Sequence, residues 1–258
     1  MVRVWTSLTP HLSLLPPNKR TMTTIFWICF FLVFYTYVGY GIVLYLATRI
    51  KRMFGKKETT FDAYNTLPDV TMMVCAYNEE EIVKAKMENT HALDYPKDKL
   101  HILWVTDGSD DSTNSLLAEY SDVAVVFTPE RKGKTAALKH GIKEVKTEIL
   151  VMTDANTMLN KEAIRVIVDK MRNPKVGCVA GEKRVKARND GQAAAEGEGM
   201  YWKYESFLKR LDSELYSAMG AAGELCAIRS QLFEEMPDDT LLDDFILSMR
   251  IVERGYTI

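Results

Sequence analysis

Between Thr21 and Thr48 the chain carries no charged side chain and is dense in Ile, Phe, Leu, Val, Tyr and Trp. A helix needs roughly 20 mainly apolar residues to cross the hydrocarbon of a bilayer, so this run predicts a membrane-spanning helix over 22–48. A cleaved signal sequence fits less well, because its apolar region is only roughly 7–15 residues long. From Leu67 onward the pattern changes to short β-rich runs alternating with stretches of helical spacing. Strands are predicted over 70–75, 102–105, 123–127, 149–153 and 176–180, and helices over 79–92, 112–120, 135–145 and 161–171. Repeated strand–helix–strand units imply an α/β fold: a mostly parallel, Rossmann-like sheet with flanking helices, binding ligands outside the carboxyl ends of its strands.

The flanks of the apolar run set the domain organisation. Residues 1–21, with Pro10, Pro16 and Pro17, read as a disordered N-terminal extension, and Met22, placed directly at the apolar run, reads as the natural start. Residues 49–66 read as a basic juxtamembrane linker. Its Arg49, Lys51, Arg52, Lys56 and Lys57 outnumber Arg3, Lys19 and Arg20 on the other side, which predicts a single-pass protein with its globular part, 67–258, in the cytoplasm. The net charge of −2 gives no reason to expect a nucleic-acid partner. Cys29, Cys75, Cys178 and Cys226 are scattered, three of them in apolar runs, and are expected to be reduced and buried. His11, His91, His101 and His140 are equally dispersed, which argues against a zinc site or a histidine triad.

The chemistry concentrates at the predicted strand ends. Cys75-Ala76-Tyr77-Asn78-Glu79-Glu80 follows the first strand. Asn78 can cap the next helix and the glutamates can favour its positive end, while the Tyr77 ring can stack on a nucleotide base. In the turn from Thr106 to Thr113, Asp110 or Ser112 reads as a helix cap, and Asp107 is placed to accept a hydrogen bond from a base N–H. Arg131-Lys132-Gly133-Lys134-Thr135 opens a helix with cations. It reads either as a solvated basic turn or as a site for an anion such as diphosphate. It lacks the glycine spacing of a P-loop, and no Gly-x-Gly-x-x-Gly turn follows the first strand.

The run Ile149–Met152 ends in Thr153-Asp154-Ala155-Asn156. In an extended backbone Asp154 and Asn156 share a face, and their oxygens suit Mg²⁺ or Mn²⁺ on a diphosphate. Asp243-Asp244 precedes a helical stretch reaching Gly255. Asp243 can cap that helix, and two adjacent carboxylates shift one another's pKa, so that one can serve as a general base. Tyr201, Trp202 and Tyr204 can stack on sugar rings or pack in the core or against a membrane.

With these motifs in this order, the chain from about Leu67 to Ile258 resembles the catalytic domain of family 2 glycosyltransferases, inverting enzymes of the glycosyltransferase A fold that include cellulose, chitin, hyaluronan and exopolysaccharide synthases. The resemblance implies that Val74–Glu79 and Asp107 hold the nucleotide base. It implies that Gly133-Lys134 belongs to the next block of the donor site, and that Asp154 with Asn156 matches an Asp-x-Asp motif for ribose, diphosphate and divalent metal. It further implies that Gly223–Arg229, with Gly223 and Glu224, lies on the acceptor side with Asp243, and that Asp244 is the catalytic base. The expected partners are a nucleotide sugar, favoured as a uridine diphosphate sugar, and a glycan or lipid-linked saccharide at a membrane. Asn156 stands where the family usually has a second aspartate, and the chain stops at Ile258 before the family's Gln-x-x-Arg-Trp segment. The chain therefore reads as C-terminally incomplete, with an inactive, membrane-anchored nucleotide-sugar-binding protein as the alternative.

Overall fold

The structure, a computed structural model, describes residues 18–54, 66–184, 193–237 and 240–258. Most of the expected N-terminal extension and of the linker, residues 1–17 and 55–65, lies outside these. Asn18 opens the first helix, its side-chain oxygen accepting from Arg20 N at 3.2 Å. Helix α1 (Lys19–Phe34) runs through a π-helical turn, Tyr35–Gly39, into α2 (Tyr40–Phe54). Together they make 36 helical residues, long and apolar enough to cross a membrane, and no side chain of α1 is buried. At about 1.5 Å per residue the helix outruns a hydrocarbon layer of about 30 Å, so its polar end continues past the apolar stretch. The first part of the expected linker, 49–54, is accordingly helical.

Residues 48–258 form a separate compact unit. Its six strands are β1 (Val70–Ala76), β2 (Leu100–Asp107), β3 (Val123–Thr128), β4 (Ile149–Asp154), β5 (Cys178–Ala180) and β6 (Leu225–Arg229), in the order β3-β2-β1-β4-β6-β5. The first four pair in parallel, and β6 runs antiparallel to both β4 and β5. The helices of this unit after α2 are α3 (Glu80–His91), α4 (Thr113–Leu117), α5 (Lys134–Ile142), α6 (Ala163–Met171), α7 (Ala193–Leu215) and α8 (Asp243–Glu253).

Strand alternation divides the apolar side chains between two cores. Val70, Met72 and Val74 of β1 face a cluster with Trp104, Val83 and Met87 of α3, and Ile164, Ile167 and Met171 of α6. Met73 faces the other cluster, with Leu150, Leu138 of α5, and Leu247 and Ile251 of α8. Each such side chain, fully buried, contributes about 1.5–3 kcal/mol through removal of apolar surface from water. The central strands read as continuous apolar runs because both faces are covered.

The chain moves from β1 outward to β3, then returns to place β4 on the other side of β1. The change of direction falls between β1 and β4, where Cys75 is paired with Asp154, and in open α/β sheets the carboxyl ends at such a switch point border the ligand crevice. Several expected boundaries shift. The helix expected over 112–120 is the five-residue α4, and the strand expected over 176–180 shortens to β5, with Val176 instead bridging Thr257. The pattern gave no forecast of β6 as a strand or of α7. Lys51, expected in the linker, caps the end of α7, donating to the Glu214 and Leu215 carbonyls at 2.7 and 3.0 Å, while Arg52 pairs with the Glu214 carboxylate.

Candidate active site

The loops after β1 and β2 hold each other. Asn78 adopts φ 52°, a left-handed conformation that asparagine tolerates better than most residues. Its carboxamide exchanges hydrogen bonds with Asp110, Nδ2 donating to Oδ1 at 2.6 Å and Oδ1 accepting from Asp110 N at 3.0 Å. Asn78 is therefore not the cap of α3. That task falls to the second loop: Glu79 N donates to Thr113 Oγ1 at 2.9 Å and Glu80 N to Asp111 Oδ2 at 3.1 Å. In return Glu80 accepts from Ser112 N at 2.9 Å, and Asp111 accepts from Thr113 N at 3.0 Å. Neither the Asp110 nor the Ser112 side chain caps α4, because Asp111 takes that place.

Asp107 is buried, and its carboxylate turns toward the basic loop. It accepts from Lys132 N at 3.0 Å on both oxygens, from Gly133 N at 2.6 Å and from Thr128 Oγ1 at 3.2 Å. Gly108 permits the approach: its φ is +70°, and a Cβ there would stand 2.6 Å from Arg131 N. The anion expected beside the cationic start of α5 is thus supplied in part by the chain itself, through Asp107 and Asp154. The Arg131 guanidinium lies 3.7 Å from the centroid of the half-exposed Tyr77 ring, so this face of the aromatic already carries a stacked cation.

Lys134, at the first position of α5, reaches across the crevice. Its Nζ donates to Asp154 Oδ1 at 2.7 Å and to Gly223 O at 3.4 Å. A Cβ on Gly223 would stand 3.3 Å from Asp244 Oδ2 and 3.5 Å from Lys134 Nζ, so the glycine leaves room for the two charged groups to converge. Burial pulls the Lys134 ammonium down, but the hydrogen bond and charge of Asp154, with Asp243 beyond, outweigh it and raise its pKa. Burial raises the Asp243 carboxyl above its ordinary value, an effect countered by Lys134 and reinforced by Asp244. Glu79 is raised too, by burial and then by the charges of Asp111 and Asp154. Burial pushes the Cys75 thiol up to about 12, so Cys75 is a neutral group at physiological pH and not a nucleophile.

Beyond β4 the expectation of an extended backbone is corrected. Thr157 N donates to Asp154 O at 3.2 Å, closing a turn in which Ala155 is buried and Asn156 exposed. Asp154 and Asn156 therefore sit on one turn and not on one face of an extended strand. Beneath it lies Lys86 of α3, fully buried and with its pKa lowered to about 8, chiefly by desolvation. Sequence reading passed over Lys86, because a lysine on a helix resembles any solvated position. Its only signal is its place among Val83, Met87 and Thr90 on the buried face of α3.

Asp154 and Asn156 offer hard oxygen donors, which fit Mg²⁺ or Mn²⁺. Among the described residues no three His, Cys, Asp or Glu side chains converge as a metal cage. Such a donor set fits an ion that takes most of its ligands from phosphate and water.

After the crevice-lining Gly223, Glu224 pairs with Lys183 at 2.7 Å. Burial opposes its ionisation, but the Lys183 bond outweighs burial and lowers its pKa. Lys183 also lies 4.3 Å from the centroid of the Trp202 ring, while Tyr201 and Tyr204 are exposed. Thr153 Oγ1 donates to Glu224 O at 3.0 Å, tying this segment to the end of β4. Of the cysteines, Cys178 and Cys226 are buried with sulfurs 3.6 Å apart, whereas Cys29 is exposed and Cys75 intermediate. All four are free thiols.

Comparison with known proteins agrees with this architecture. The profile of the family described as glycosyltransferase like family 2 matches residues 68–258. The poly-beta-1,6-N-acetyl-D-glucosamine synthase of Staphylococcus aureus (strain COL) is 26% identical over 238 residues, covering 88% of this chain and 56% of that protein. The probable glycosyltransferase YdaM of Bacillus subtilis (strain 168) is 28% identical over 214 residues, covering 74% and 48%. The chain thus spans about half the length of the curated relatives it matches. The mannosyltransferase PcManGT from Pyrobaculum calidifontis, solved with GDP-Man and Mn²⁺, superposes with a TM-score of 0.65 at 26% identity, covering 84% of this chain and 64% of that one. Staphylococcus aureus TarS 1-349 in complex with UDP-GlcNAc gives 0.54 at 15% identity, covering 73% and 53%, a likeness in fold alone. The matched residues contain all six strands and the Lys134, Asp154 and Asp244 cluster, and the chain belongs to the family 2 glycosyltransferases, enzymes of the glycosyltransferase A fold.

Proposed function

We propose that this chain is the membrane-anchored catalytic part of an inverting glycosyltransferase that moves a sugar from a nucleotide sugar to a glycan or lipid-linked saccharide in polysaccharide biosynthesis. The observation that carries the reading is the meeting of Lys134 with Asp154 and Gly223, beside Asp244, at the strand ends. Tyr77, Glu79 and Asp107 belong to the base end of the donor site, with Asp107 bracing the loop 131–133 that borders it. Lys134 remains charged and faces the diphosphate. Asp244 takes the proton of an acceptor hydroxyl as that oxygen bonds to the anomeric carbon, and the bond to the diphosphate breaks with its electron pair leaving on the nucleotide. Attack from the opposite face turns an α-linked donor into a β-linked product. Gly223, Glu224 and Asp243 border the acceptor.

Asp154 and Asn156 are the residues that would hold a divalent cation, which when bound supplies Lewis-acid stabilisation of the leaving diphosphate. A uridine diphosphate sugar is the proposed donor, on the resemblance to family 2 synthases. Calorimetric titration of the detergent-solubilised chain with UDP, GDP, UDP-GlcNAc and GDP-Man, with and without Mn²⁺, tests the donor site. Asp154→Ala is expected to abolish the metal-dependent part of binding. Asp244→Asn is expected to retain binding and to lower transfer by ~10²–10⁴-fold; undiminished transfer would remove Asp244 as base. Binding by wild type with no transfer to any glycan would instead favour a nucleotide-sugar-binding role.

The basic residues after the apolar run support a cytoplasmic catalytic unit behind a membrane-crossing α1 and α2. Protease added to sealed right-side-out vesicles is expected to leave residues 66–258 intact, and digestion of that unit would reverse the orientation.

A further inference from the structure

The turn that carries Asp154 and Asn156 is gripped from below at two points one helical turn apart on α3. Lys86 Nζ donates to Thr153 Oγ1 at 3.2 Å, to Asp154 O at 3.0 Å and to Thr157 O at 2.5 Å, which uses all three ammonium protons. Asn89 pairs with the backbone of Leu159 in both directions, Nδ2 donating to the carbonyl at 2.8 Å and Oδ1 accepting from the amide at 2.8 Å. Lys86 has no solvent exposure, and its three acceptors are all uncharged oxygens. Removing an ammonium from water is costly, the charge of the nearby Asp154 carboxylate offsets only part of that cost, and a methionine would occupy the position without burying a charge. The charge is therefore poorly explained by core packing. What it accomplishes locally is specific: the lone pairs of residues 153, 154 and 157 are drawn to a single point, and the turn between them is fixed.

We propose that Lys86 and Asn89 are positioning residues, a two-point clamp that presents Asp154 and Asn156 to the metal-bound diphosphate of the donor. The inference rests on the reading of Asp154 and Asn156 as the diphosphate and metal ligands. Neither clamp residue touches substrate. Both act through the backbone of the loop 153–159, as outer-shell groups do when they hold a ligand's orientation. The nucleoside end of the donor is bordered by the 77–80, 107–113 and 131–133 loops, none of which bonds to Lys86 or Asn89. The clamp is thus expected to govern diphosphate and metal binding and to leave nucleoside binding alone.

The experiment uses the full chain in detergent, with Lys86→Met, Asn89→Ala and Asp154→Ala beside wild type. The probes are UDP and GDP with Mn²⁺, and uridine and guanosine without metal. For whichever nucleotide wild type binds, Lys86→Met is expected to weaken metal-dependent diphosphate binding by roughly 10–100-fold and to raise the Mn²⁺ concentration needed for half-saturation, with affinity for the matching nucleoside unchanged. Asn89→Ala is expected to do the same to a smaller degree. A merely structural role would lower the thermal midpoint and reduce apparent binding of both probes together. Should Lys86→Met not fold, Asn89→Ala decides alone. Wild-type diphosphate affinity in the folded variants, with Asp154→Ala defective, overturns the clamp and leaves the donor site standing. Wild-type affinity in Asp154→Ala, or no nucleotide binding by the folded wild type, overturns the donor reading and the clamp with it.

Discussion

Asp243 shows how a site residue's environment becomes a stability effect with a definite pH window. Burial raises its carboxyl above the ordinary value of 3.8, only partly offset by Lys134, so the folded chain holds this proton more tightly than the unfolded chain. Its favourable contribution is complete below the unfolded pKa and is lost as pH rises through the raised folded value. Once ionised, Asp243 is therefore a net liability to folding, retained beside Asp244 and Lys134. Asp243→Asn is expected to raise the thermal midpoint at pH 7 and to have a smaller effect near pH 3.5, a difference that scanning calorimetry at the two pH values reads directly. An equal shift at both would mean that ionisation of Asp243 is not what the substitution relieves. At the same scale, Asn156 keeps an oxygen donor while lacking a charge, and the nearest formal cation to Asp154 is the Lys134 ammonium, a strongly hydrated point charge well suited to phosphate.

At the scale of elements, the loops after β1 and β2 substitute for each other's caps. A helix leaves its first amides without intrahelical partners. Here those of α3 are met by Thr113 and Asp111 from the next loop, and Asp111 serves the start of α4 as well. Asp111→Ala removes acceptors from two helix starts at once. It is expected to cost about 1–2 kcal/mol of stability and to speed hydrogen exchange at the amides of Glu80 and Thr113, with little change elsewhere. Unaltered exchange at those two amides would show that other groups satisfy them. The same dependence explains why the sequence misassigned the caps. Asn78, Asp110 and Ser112 are all good capping residues by type, and only the approach of the two loops decides that Asp111 and Thr113 do the work.

At the scale of the whole molecule, the catalytic unit is an α/β/α sandwich in which β1–β4 pairing joins the two sides of the strand-order reversal, and a few polar side-chain contacts tie them together at the strand ends. Lys134 reaches from α5 to β4 and the Gly223 segment, while Thr153 joins β4 to Glu224. A ligand that bridges these parts binds the folded state alone and stabilises it by mass action. Nucleotide with Mn²⁺ at about 100 times its Kd is expected to add about 2.7 kcal/mol, a rise of roughly 5–10 °C in the midpoint of the catalytic unit. The rise should disappear in Asp154→Ala; if it persists there, the ligand is held somewhere other than the crevice.

The sequence by itself determined most of the elements and the residue types at their ends. Apolar length announced the long helix, β-rich runs announced five of the six strands, and acidic or basic residues at their ends marked the crevice, because hydrophobic periodicity and turn chemistry are local properties. The resemblance to family 2 glycosyltransferases followed from the spacing of those same ends. Only the tertiary structure decided what depends on distant groups meeting. It made β6 an antiparallel partner of β4. It turned the Asp107 carboxylate onto the 132–133 amides, folded Asp154–Thr157 into a turn, and buried the Lys86 ammonium beneath it. Each of these is a long-range satisfaction of a charge or hydrogen bond. The residues' types permit such contacts, but the folded chain alone brings the partners within reach.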